Sequence, residues 1–149
     1  MSTFTQILIH IVFAPYNREP VLWRNNRPDL FRYITGLVTN KHCKMLQINR
    51  MEDHLLLFTG LSSAIAIANL VKDIKLASSD WIKENRIFPK FRGWQDGYGA
   101  FSVSRSDRDR VIRYIQDQEA HHRRVTFLDE YWQLLQESGV EVDRGKIFR

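Results

Sequence analysis

Residues 54–58 read His-Leu-Leu-Leu-Phe, and this run constrains the fold more than any other segment. Successive residues of a strand point to opposite faces, so Leu55 and Leu57 share one face while His54, Leu56 and Phe58 share the other. A strand apolar on both faces belongs inside a sheet that is covered on both sides. The chain must therefore supply flanking strands and covering helices. Residues 44–50 form a strand that joins 54–60 through a turn near Arg50 to Asp53. Residues 4–13 alternate, with Ile7, Ile9, Ile11 and Phe13 on one face and Leu8, His10 and Val12 on the other. Residues 98–104 make a fourth strand.

Helices fill the intervals. Pro28 opens one through Leu30, Phe31, Ile34, Leu37 and Val38. A second covers 63–83 through Ile67, Leu70, Val71, Ile74 and Trp81, with Lys72, Lys75 and Lys83 as surface charges. Ser106 and Asp109 form a capping-box-like start for a third, whose apolar stripe is Val111, Ile112 and Ile115. Thr126 and Asp129 cap a last helix through Tyr131, Trp132 and Leu135, and Gly139 stops it. The order is strand, helix, strand, strand, helix, strand, then two helices. The fold class expected is α+β: a ferredoxin-like split β-α-β antiparallel sheet with additional C-terminal helices. With no repeat or linker to divide it, residues 1–149 are expected to form one domain.

Composition narrows the setting. Hydrophobic residues make up 44% and charged residues 26%, which are globular proportions. No run approaches the ~18 apolar residues that span a bilayer, and the N-terminal TQILIHIVF lacks the basic leader of a signal peptide. A lone Cys43 excludes an internal disulfide and suits a reducing compartment, so a cytoplasmic location is expected. The net charge of +5 and pI of 9.6 favour a polyanionic partner. Six arginines are the candidate phosphate contacts: Arg105, Arg108, Arg110 and Arg113 around the third helix, and Arg123 and Arg124 after it.

Tyr114 and Gln118 lie four residues apart on that helix, one turn along a common face. A phenol hydroxyl can attack a phosphodiester, and a carboxamide oxygen is a hard ligand for magnesium or manganese. The pair alone is more often an ordinary helix face.

The sequence around the pair is more specific. WQDGYGAFSVS at 94–104, RYIQDQ at 113–118 and HHRRVTFLDEY at 121–131 resemble the C-terminal half of single-tyrosine HUH insertion-sequence transposases, especially the subgroup associated with repetitive extragenic palindromes (REP). The resemblance extends from ILIHIVFAPYNREP to SGVEVD. It implies a strand with His-hydrophobe-His facing a helix with Tyr-x-x-x-Gln, two imidazoles and the amide holding a Mg2+ or Mn2+ ion. It further implies that Tyr114 becomes linked to a 5′ phosphate of single-stranded or hairpin DNA, in a nucleoid-associated homodimer. MEDHLLLF, residues 51–58, is the matching strand. His54 falls on the first histidine, but Leu56 stands at the second and has no lone pair to offer. Glu52, two residues before His54, is a possible substitute on the same face, with Asp53 pointing away. The departure leaves two readings: an active transposase, or an impaired descendant that retains DNA binding. A metal-independent RNA-binding sheet is a third, although no aromatic-rich strand of that type is present. Trp81, Trp94 and Tyr98 are candidates for base stacking.

Overall fold

The computed structural model describes residues 1–23 and 26–147. Four antiparallel strands lie in the order β2-β3-β1-β4: β1 (Leu8–Phe13), β2 (Lys44–Met51), β3 (His54–Gly60) and β4 (Gly99–Val103). β1 and β3 occupy the centre, which explains why both carry apolar residues on both faces. This is the split β-α-β topology expected from the sequence. Val12 pairs with Leu56 and His10 with Phe58, so these four side chains share one face.

Helices α1 (Arg27–Asn40) and α2 (Ile67–Glu84) cover the opposite face. Leu30, Ile34 and Val38 of α1 and Leu70, Val71 and Ile74 of α2 pack there on Ile9, Ile11, Leu55 and Leu57. Pro sits in the first turn of α1, where its missing N–H costs no helical bond. α2 starts four residues later than its periodicity suggests, after the turn at 63–65. Lys75 is no free surface charge, because its ammonium donates to the carbonyls of Gln95 and Gly97 and ties down the loop before β4. Trp81, stacked on Tyr33, and Trp94, bonded to Ser78 Oγ, belong to this layer, on the far side of the sheet from Tyr114.

The second face carries α3 (Arg108–Gln116), α4 (Gln118–His122) and α5 (Phe127–Glu137). Val12, Leu56, Phe58, Ile115 and Phe127 form its core, with Tyr114, Tyr131 and Leu134 at the margin. Two expectations are corrected here. The third helix begins not at Ser106 but after a 3-10 turn at 105–107, with Asp107 at its N-cap. Tyr114 and Gln118 also sit on two helices rather than one, because Asp117 leaves helical geometry between them. The cause is Asn49 of β2, buried to 7% exposure, whose Nδ2 donates to the Ile115 carbonyl at 2.7 Å. That carbonyl would otherwise accept the next helical N–H. α5 keeps its expected ends: Thr126 Oγ1 accepts from Asp129 N, and Gly139 at φ 73° turns the chain out. Gly99 is required where it stands, since a Cβ there would collide with Tyr131 Oη and the Phe101 ring.

Candidate functional site

His54 opens β3 with its ring fully buried. The β2–β3 hairpin turn consists of Glu52 and Asp53, which interrupts strand alternation and overturns the expectation that Asp53 points away. Asp53 turns inward, with Oδ1 2.8 Å from His54 Nδ1. Glu52 is exposed in the turn and joins no cluster of ligating groups among the described residues. Burial pushes the Asp53 carboxyl up, but its hydrogen bond and charge interaction with His54 outweigh this and hold it below the ordinary range. Phe127 stacks flat on the His54 ring at 3.8 Å and 4°. Carboxylate and phenyl together fix the imidazole so that Nε2 points at α4.

Nε2 meets Gln118 Oε1 at 3.2 Å. The orientation of the amide follows from its other end, where Nε2 donates to the Tyr114 carbonyl and to Glu130 Oε1 at 3.3 and 3.4 Å. Gln118 Oε1 also lies 3.0 Å from His122 Nε2, one turn along α4. His122 in turn contacts Glu130 Oε2. His54, His122 and Glu130 thus present ligand atoms within 4.8 Å of one another, with Gln118 Oε1 among them. His122 is pushed down to about 4, first by burial and then by the neighbouring imidazoles. Glu130 is pushed up to about 8, by burial and then by Asp53.

Leu56 shares the face of His54 but is 1% exposed within the apolar cluster of Val12, Phe58 and Phe127. Asp53, His122 and Glu130 went unnoticed in the sequence as parts of a site. Glu130 did leave a signal, an acidic residue on the otherwise apolar face of Phe127, Tyr131 and Leu134. His122 lay hidden in the basic run HHRR.

Tyr114 is half-buried and packs edge-on against His10 and His121 at centroid distances of 6.2 and 5.6 Å. It lines a cavity of about 720 Å³ together with His10, Arg110, His121 and Glu130. The phenol and the carboxylate edge of the cluster therefore open onto one space. Arg110 lines it, and Arg105, Arg113, Arg123 and Arg124 are exposed on the segments that carry and follow Tyr114. Arg108 and Arg110 pair with Asp109 and Asp107. Among the described residues the other four make no ion pair, which leaves them available to an external anion.

The model of the IS200-like transposase family matches residues 3–118, most of the chain. The chain belongs to the IS200-like transposase family. Two solved structures show the same fold. A Deinococcus radiodurans R1 protein described as a transposase aligns with TM-score 0.62 and 22% identity, over 79% of this chain and 95% of that one. A REP-associated tyrosine transposase bound to a REP hairpin aligns with TM-score 0.59 and 13% identity, over 82% and 74%. A search of curated proteins found no match. The family match ends at Gln118, so His122 and Glu130 lie beyond it. No helix among the described residues is long and apolar enough to cross a membrane.

The site's donors fit a divalent cation of the kind the resemblance implies. Ligand atoms that share one ion at about 2.1 Å are at most about 4.2 Å apart, close to the spread seen here. Glu130 Oε2 is buried without a hydrogen bond of normal geometry. A buried oxygen left in this state beside two imidazoles is one that a cation would pair.

Proposed function

We propose that this transposase-family protein cleaves and rejoins single-stranded DNA beside a hairpin, with Tyr114 as nucleophile. The observation that carries the reading is the cavity lined by both Tyr114 and Glu130, the carboxylate of the buried imidazole–carboxylate cluster. Tyr114 Oη attacks a phosphorus atom, the bond to the 3′ oxygen breaks, and a 5′ phosphotyrosine forms as the phenolic proton passes to the departing 3′ hydroxyl. The phosphotyrosine conserves the bond energy, so a 3′ hydroxyl of another strand can reverse the step without ATP. A Mg2+ or Mn2+ ion held by His54 and Gln118 would neutralise charge on the phosphoryl oxygen. Arg105, Arg113, Arg123 and Arg124 bind backbone phosphates, with Arg108 and Arg110 joining once released from their carboxylate partners. The hairpin substrate is consistent with the REP-bound relative. A homodimer in the cytoplasm, close to the nucleoid, completes this reading.

Wild-type protein mixed with labelled single-stranded DNA and manganese is expected to give a covalent adduct on a denaturing gel. Tyr114→Phe should abolish the adduct and keep hairpin binding, because only one hydroxyl is lost. An adduct that persists in the Phe variant would move the chemistry to another residue. The buried, apolar Leu56 supports a second reading, a DNA-binding protein without cleavage. Hairpin binding by the wild type with no adduct at any manganese concentration would select it.

A further inference from the structure

We propose that His122 and Glu130 take the place of the missing second strand imidazole, completing with His54 and the Gln118 oxygen a site for one divalent cation of the magnesium or manganese class. This rests on the metal-assisted reading above and supplies the ligands that reading lacks. Leu56 is sealed among Val12, Phe58 and Phe127, so no donor reaches the site from its position. The replacements come instead from the helical layer. His122 follows Gln118 by one turn of α4 and brings its Nε2 within 3.0 Å of the same amide oxygen. Glu130 stands one turn into α5, whose start is held by the Thr126 cap.

The side chains behind these donors are those of a built site. Asp53 fixes the tautomer of His54 from its far nitrogen, and Phe127 clamps the ring, as ligand imidazoles require. Glu130 Oε2 is buried, faces both His121 and His122, and has no hydrogen bond of normal geometry. A carboxylate oxygen in place of an imidazole also suits the hard cations of phosphoryl chemistry. Glu52, exposed in the hairpin turn, is outside the cluster.

Manganese titration of the DNA-free protein, read by calorimetry and by loss of the free-ion spin resonance signal, tests the assignment. Glu130→Gln retains size and hydrogen bonding while removing the anionic oxygen, and His122→Gln removes the imidazole nitrogen. Each is expected to weaken manganese binding roughly tenfold or more, whereas Glu52→Gln leaves it unchanged. Unchanged affinity in both cluster variants overturns the proposal, as does a wild-type protein that binds no manganese, or a loss confined to Glu52→Gln. Should a variant not fold, pulsed spin resonance of the manganese-bound wild type decides. Couplings from two imidazole nitrogens are expected, and a single one overturns the assignment of His122. Because no DNA is present, failure of adduct formation leaves this result standing, and its own failure leaves the adduct assay to judge the transposase reading.

Discussion

At the scale of single residues, the buried histidines set the protein's response to acid. His10 is 3% exposed on the central strand β1, its Nε2 without a hydrogen-bond partner and its ring against Phe101 and Tyr114. Burial pushes it from 6.5 down to about 4. Below pH 6.5 the unfolded chain takes up a proton that the folded ring refuses. The stability present above 6.5 is therefore lost as pH falls toward 4, by about 3 kcal/mol in total. Urea unfolding of wild type and His10→Leu between pH 7.5 and 4 checks this. The wild type should lose about 3 kcal/mol more than the variant over that range. Equal losses would mean that His10 charges in the folded protein. The same neighbour contacts bear on Tyr114, whose ring is held between His10 and His121 while its hydroxyl has no partner among the described residues.

At the scale of elements, the break between α3 and α4 matters most. Sequence spacing alone puts Tyr114 and Gln118 on one helix face, and a straight helix would fix their relation. Asn49 instead removes the Ile115 carbonyl from the helical ladder, and the two short helices meet at Asp117. The strand β2 thereby sets the angle between the helix that carries the phenol and the one that carries the amide. Asn49→Ala leaves that carbonyl buried without its donor. It should cost about 1–2 kcal/mol in thermal unfolding and reduce adduct formation by Tyr114 more than it reduces hairpin binding. Parallel losses in both would assign Asn49 to stability alone. A polar residue in the buried half of a strand was a visible irregularity in MLQINRM, but its partner, 66 residues away, was not legible.

At the scale of the whole molecule, the sheet divides the labour. The α1–α2 face is apolar and structural, whereas the other carries the imidazoles, the phenol and the arginines. If Arg105, Arg113, Arg123 and Arg124 each neutralise a phosphate of a hairpin stem, affinity should fall about a hundredfold between roughly 50 and 200 mM salt. Fluorescence anisotropy across that range measures the slope. A flat profile would exclude these four from the DNA contact.

Local pattern alone was enough for much of this protein. Alternation in residues 8–13, the two-sided apolarity of 54–58 and the Thr126 cap each specify an element, because they depend only on the φ/ψ period of consecutive residues. Their order restricted the topology to a split β-α-β sheet, with His54 and Leu56 on one face. The composition of the site was decided by tertiary structure. Asp53 reached the His54 ring because a two-residue hairpin broke the alternation. His122 and Glu130 reached His54 because α4 and α5 fold back over the sheet, bringing residues 54, 118, 122 and 130 together from three elements. Periodicity tells which way a side chain faces within its own element. Whether two such faces meet depends on the distance and angle between elements, which packing alone determines.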